Sequence, residues 1–223
     1  FGILALHMFF LKTNGKILHL NLILTSGVPI ASSDGGSLSY YESVSVVTDQ
    51  FGNERMYSDG IKIMDASHSL MYGAPDMLQG TVDGSVGSST QGALSITDRQ
   101  NSDIIHLFTT NSVERTQNGL RYHRVDLSKP GNGTLNNPLG EVIVFDSLLH
   151  VNTAEMITSY GSCESDSVWI IAHEANSYDF IKILLTSNKV SLTKQTVLTP
   201  TINNELNFLT SEGRGSIDFN PEG

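Results

Sequence analysis

The residues with most to offer chemistry are four carboxylates, Glu42, Asp59, Glu155 and Asp166. A glycoside hydrolase needs two carboxyl groups a fixed distance apart across its substrate. Sequence spacing does not give that separation, so the four stay unpaired at this level. His173-Glu174 opens a word like H-E-x-x-H, but position 177 is Ser and the segment ends a strand. The zinc word needs its second His one helical turn on, so a metalloprotease is not expected. His106 and His123 fall on neighbouring strands and are read as able to face each other. No third ligand accompanies them, and the preferred reading is two buried, hydrogen-bonded histidines rather than a metal pair. Two acidic turns, holding Asp49 and Asn53 and then Asp98 and Asp103, offer carboxylates and carbonyls of the kind Ca²⁺ takes. The simpler role for these four is to close their own turns through side-chain acceptors. No cofactor is therefore expected, with Ca²⁺ at Asp49, Asn53, Asp98 and Asp103 as the alternative.

Other words fail for stated reasons. Ser32-x-Asp34-x-Gly36 matches the front half of the Asp-box turn of sialidases, but Ser39 stands where an aromatic should close it. No nucleophile elbow, phosphate loop or dinucleotide fingerprint is present. Asn132-Gly-Thr134 is a glycosylation sequon. The single cysteine, Cys163, makes no internal disulfide and builds no zinc site by itself.

Composition narrows the class. The 223 residues carry a net charge of −10 with only 13 basic residues, which argues against a nucleic-acid backbone as partner. Charged residues are 16% of the chain, and Ser, Thr, Asn and Gly fill the gap. That balance suits many short strands joined by turns, and extracellular proteins. Residues 3–11 are apolar but too short to span a bilayer, and they read as an outer strand.

The elements that must position these residues read as meanders. Residues 43–48 alternate as a strand, 50–53 turn, 55–58 return, Asp59-Gly60 is a hairpin signal, and 61–64 run out again. Before this, 16–24 reads as one strand and 25–39 as loop. After it, 66–90 reads as loop with short strands near 69–72 and 77–81. A second copy follows: strand 92–97, turn 98–103, strand 104–110, the turn signal Asn118-Gly119, strand 120–127, loop 128–140 and strand 141–149. A third has strands over 154–160, 168–173, 180–186 and 189–198, and residues 216–223 resemble the opening strand and turn of another. Second-strand centres at Tyr57, Leu107 and Ile171 are 50 and 64 residues apart, and third-strand centres at Ile63, His123 and Ile183 are 60 and 60 apart. A repeat of this length with four strands per unit predicts an all-β chain, a partial β-propeller of four-stranded antiparallel blades. The blades fall at 40–90, 91–150 and 154–199, with 200–223 starting the next.

Several of these words, in order, carry a family resemblance. They are Glu42, Asp49, Gly52-Asn53, Tyr57 and Asp59-Gly60, then His68-x-x-Met71, then Ser88–Gln91, the Val-Asp ending of strand 120–127, and Trp-Ile-Ile-x-His over 169–173. The stretch from Lys16 to Gly223 resembles the propeller domain of large surface and gliding-motility-associated proteins of Bacteroidota, many exported by the type IX secretion system. Phe10-Leu11-Lys12 does not reproduce the aromatic-Gly pair that usually precedes the family's first blade. The resemblance implies a secreted or cell-surface, non-enzymatic binding or scaffold module of a larger adhesin-like protein. It supplies no catalytic residues to carry over. The alternatives are a sialidase-like propeller glycosidase, or a structural component of a virion or extracellular filament. Expected partners are another protein or a glycan at the cell surface, and either further blades of the same polypeptide or a second copy. Three blades do not close a ring. An apolar blade face is therefore expected to lie open, around Val44 and Val46 at one end of the array or Trp169 and Ile183 at the other.

Overall fold

A computed structural model describes residues 11–13, 16–18, 20–24, 29–33, 43–75, 89–112, 119–161, 165–177, 179–187, 189–196 and 216–219. The chain is all-β: fifteen strands and no helix occur among the described residues. Strands β1 (Leu11–Thr13) and β2 (Lys16–Leu18) form one hairpin, and β3 (Leu20–Leu24) and β4 (Pro29–Ser33) a second. Sheet I is the meander β5 (Ser45–Thr48), β6 (Glu54–Ser58), β7 (Ile63–Asp65). Sheet II holds β8 (Ala93–Thr97), β9 (Ile104–Thr110), β10 (Gly119–Asp126) and β11 (Glu141–Val151). Sheet III holds β12 (Thr153–Tyr160), β13 (Val168–Glu174), β14 (Asp179–Thr186) and β15 (Lys189–Thr196). Every pairing between these strands joins sequence neighbours, antiparallel, as the meander reading expects.

Side-chain alternation gives each strand of a sheet two faces, and sheets I to III use both. Met56 and Ile63 of sheet I pack with Ile105, Leu107, Val125 and Leu127 of sheet II. The opposite face of sheet II sends Phe108, Leu120 and Tyr122 against Ile170, Ile181 and Ile183 of sheet III. The sheets therefore stack in sequence order. Their first strands also meet. The Ala93 and Ser95 amides on the free edge of β8 donate to the Ser43 and Ser45 hydroxyls, at 3.0 and 2.8 Å. Residue numbers rise together across these two bonds, so β5 and β8 run parallel. At the next junction Gln91 donates its amide to Glu155 O (3.1 Å), and its Oε1 accepts from Ile157 N (3.1 Å).

Four expectations are corrected. Residues 16–24 are not one strand, because 16–18 pair with β1 and 20–24 with β4, a change of partner that hydrophobic alternation does not register. Residues 29–33, expected as loop, pair with β3. Their Pro sits at the first strand position, where a missing donor is tolerated. The Asp59-Gly60 hairpin has a four-residue loop, with Ser58 opposite Ile63. Asp59 Oδ1 captures the Ile61 and Lys62 amides at 2.9 and 2.7 Å, which keeps both residues out of the ladder. Gly119 is not a turn residue. It opens β10, where a Cβ would lie 2.7 Å from His150 O, so close strand approach requires glycine there. Asn118 lies outside the described residues, as do residues 3–10, 34–42 and 77–81, Cys163 and residues 220–223.

Near residues 69–72 there are only isolated bridges, Met64 to Leu70 and Tyr72 to Glu141. Residues 216–219 form no assigned strand but lie beside β12. Gly60 does have positive φ, +82°. Val44 and Val46 are half-buried over the fully buried Tyr57 and Met64. Trp169 is 39% exposed, whereas Ile183 is fully buried. The register pairs Trp169 with Leu184 and Ile170 with Ile183, so the two residues named together lie on opposite faces of sheet III.

Candidate functional site

Strand direction sorts the chemistry-bearing residues to two ends of the stack. At one end β5, β8 and β12 begin and β6, β9 and β13 finish. Asp59 and Glu155 lie there, joined through the segment 89–92. Asp59 is buried, and its Oδ2 has no partner among the described residues. Burial raises the pKa of its carboxyl, and the Lys62 and Ile61 amides oppose that shift only partly. The turn it closes presses on the same segment: a Cβ on Gly60 would sit 2.5 Å from Gly92 O. Glu155, equally buried, accepts through Oε2 from the Thr90 amide (3.0 Å) and hydroxyl (3.1 Å). Ser89, Thr110, Asn111 and Ser112 are buried beside them, with Ser89 Oγ and Thr110 Oγ1 3.2 Å apart. The result is a rim of Ser, Thr and Asn side chains carrying two carboxyl groups.

The opposite end holds the two acidic turns. Asp49 Oδ1 accepts from the Phe51 and Asn53 amides (2.8 and 2.9 Å), and Oδ2 accepts from Asn53 Nδ2 (2.8 Å). The Asn53 bond comes first among the causes that lower the Asp49 pKa. Asp98 Oδ1 likewise takes the Gln100 and Asn101 amides, at 2.8 and 3.0 Å. Asp103 pairs with Arg55 at 3.5 Å. Each of the four Ca²⁺ candidates thus serves its own turn or the neighbouring sheet. Among the described residues no three His, Cys, Asp or Glu side chains gather as a metal group. Asp166 is at this end too, near Asp98, lining a shallow crevice between sheets II and III. Glu42 lies outside the described residues. Of the four candidate acids the structure therefore brings Asp59 and Glu155 to one end and leaves Asp166 at the other.

The two histidines of sheet II do not face each other. His106 is level with Arg124 and His123 with Leu107, so their side chains leave opposite faces. His106 Nε2 donates to Asp98 Oδ2 (3.1 Å), and Tyr122 Oη donates to His106 Nδ1 (2.8 Å). Burial lowers the His106 pKa against the pull of Asp98 and keeps the ring neutral. His123 is more tightly held. Its Nδ1 accepts from the Asp146 amide (3.1 Å), and Nε2 donates to Thr109 Oγ1 (3.1 Å). Asp146 sits in a β-bulge with φ +51°, and His123 satisfies the amide that the bulge removes from the ladder. Burial first, and the Arg121 charge second, lower the His123 pKa to about 3. His173 is buried at the end of β13, edge-on to Phe180 at 4.9 Å.

Other singled-out words are structural in the same sense. His68, at φ +61°, places Nδ1 3.1 Å from Tyr57 Oη, and Met71 is buried in the core between sheets I and II. The sequon residue Asn132 donates from Nδ2 to Asp65 Oδ2 and Leu70 O, both at 2.7 Å. Ser32 is in β4, and Asp34 and Gly36 lie outside the described residues.

Sequence reasoning missed Gln91 as an individual residue. Its Oε1 accepts from both Ile157 N and Ile217 N, and its Nε2 donates to Ile217 O, tying β12 to the segment 216–219. A polar side chain in a Ser- and Thr-rich run gives no hint of such long-range bonds. Ser43 and Ser45 were legible only as small residues, although two Ser one residue apart on a first strand is a usable signal. Compared with protein-family models, curated proteins and solved structures, the chain has no match.

Proposed function

We propose that this chain is part of a β-propeller that works without catalysis, as a binding or scaffold module in the secreted space or at the cell surface. The observation that carries the reading is the stacking of three meander sheets in sequence order with β5 running parallel to β8 at their junction. Radial repetition of four-stranded sheets produces that arrangement. The low charge and the resemblance of the words from Glu42 to His173 to surface proteins support the location. The partner is a protein or glycan, met at the end of the stack where Thr90 is exposed and Gln91 half-buried, above the buried Asp59 and Glu155. These two acids are tied mainly to backbone amides, which fits a shaped surface.

A second reading, a glycoside hydrolase, is favoured by one observation. Asp59 and Glu155 share an end, and burial raises the pKa of one of them, as a general acid requires. The test is a glycan-array screen beside hydrolysis assays on aryl glycosides. The binding reading predicts retention of ligand without turnover, in the wild type and in Asp59→Asn and Glu155→Gln alike. Turnover that both substitutions abolish would establish the hydrolase instead.

A further inference from the structure

Sheet III has one face against sheet II and a second face that continues the same kind of surface. On that second face the register sets Tyr160, Trp169 and Leu184 in one row, with Ile171 beside Lys182 and His173 beside Phe180 in the next two. Tyr160 is 47% and Trp169 39% exposed, and Ile171, Phe180 and Leu184 are half-buried. The Lys182 ammonium lies over the Trp169 ring, 5.1 Å from its centroid, and gives that ring a cation–π cover.

The segment 216–219 shows what belongs on this face. Ile217 packs with Ala154, Met156 and Ala175, Thr158 Oγ1 is 3.4 Å from Asp218 Oδ1, and the Phe219 and Tyr160 rings are 5.2 Å apart. Residue numbers rise together along this contact, so the segment runs parallel to β12, as β8 runs parallel to β5. Gln91 holds it through Ile217 N and O (3.0 and 3.2 Å). It has the place that a first strand has at the earlier junction.

We infer that the Tyr160–Trp169–Leu184 face is an interface for a fourth antiparallel sheet, contributed by the polypeptide that runs on from Phe219 with residues 216–219 as its first strand. The inference rests on the propeller reading. A second copy of the chain is the poorer occupant. At the corresponding end of the stack Tyr57 and Met64 are buried and Val44, Val46 and Leu70 half-buried, with no exposed aromatic row to match Tyr160 and Trp169. Two outer faces of sheet III set against each other would bring two Lys182 ammonium groups together.

Hydroxyl-radical footprinting of Trp169 tests this in the polypeptide as its source makes it, beside the 223-residue chain alone. The expected result is labelling slower on the order of tenfold or more in the natural polypeptide, restored by Gln91→Ala or, independently, by Ile217→Ser. Equal labelling in the two would overturn the proposal. So would protection that both substitutions leave intact and dilution removes, which is the behaviour of a second copy. Hydrogen exchange at the Ala93 and Ser95 amides, read in the same samples, reports the propeller reading separately. If those amides are protected while Trp169 stays open, only the fourth sheet fails.

Discussion

The two faces of sheet III are made by the same four strands, yet they have different fates. The inner face places Val168, Ile170, Ala172, Ile181, Ile183 and Leu185 under Phe108, Leu120 and Tyr122, and all are buried. The outer face places Trp169, Ile171, Phe180 and Leu184 partly in water, with Lys182 among them and only His173 buried. Near-continuous apolar runs such as those of β13 and β14 mark strands meant for cover on both sides. Composition therefore says that both faces are built for burial, and only the packing says which one has its cover within the described chain.

Substitutions on the two faces sharpen this difference most. Ile183→Ala should cost about 2–5 kcal/mol, the range for removing a buried aliphatic group and leaving a cavity. Trp169→Ala in the 223-residue chain should cost far less, about 1 kcal/mol, because the side chain is not fully withdrawn from water. Denaturant unfolding of both variants checks the ratio. Equal costs would mean that the outer face is covered after all.

Histidine titration gives a second contrast. His123 lies on the face of sheet II that sheet I covers, and its folded pKa is about 3 against an ordinary 6.5. Between those values the unfolded chain binds the extra proton. Its stabilising contribution is thus complete above pH 6.5 and is lost as pH falls toward 3. Each unit is worth about 1.4 kcal/mol, so acidification from pH 6.5 to 4.5 should remove roughly 2–3 kcal/mol. His123→Gln, which cannot titrate, should flatten that slope in a pH series of unfolding midpoints. The pKa of His173, on the outer face of sheet III, is also lowered by burial, but there Glu174 and Asp179 pull it back up. His173→Gln should change the slope less.

The smallest effect belongs to the strand edges. Ser45→Ala removes the acceptor for the Ser95 amide and should cost about 1 kcal/mol. Exchange at Ser95 should speed up while the Ile170 and Ile183 amides of sheet III stay unchanged.

Much of the strand order was legible because alternation and turn residues are local signals. Sheets II and III follow the expected boundaries to within a few residues. Local signals fail where a side chain outside the strand decides the outcome. Asp59 lengthens a hairpin by capturing two amides, Gly119 is required by the approach of His150 rather than by a turn, and the change of partner between 16–18 and 20–24 leaves the alternation intact. The candidate site was legible by residue type alone. That Asp59 and Glu155 share an end while Asp166 does not depends on how the sheets stack, which no spacing in the chain encodes.

The central claim is the parallel approach of first strands, and nuclear Overhauser contacts test it most directly. The account predicts cross-peaks from the Ala93 amide to the Ser43 β-protons and from the Ser95 amide to the Ser45 β-protons, matching the 3.0 and 2.8 Å bonds. Their absence, with β5 contacting β11 instead, would contradict it and make a β-sandwich the better description.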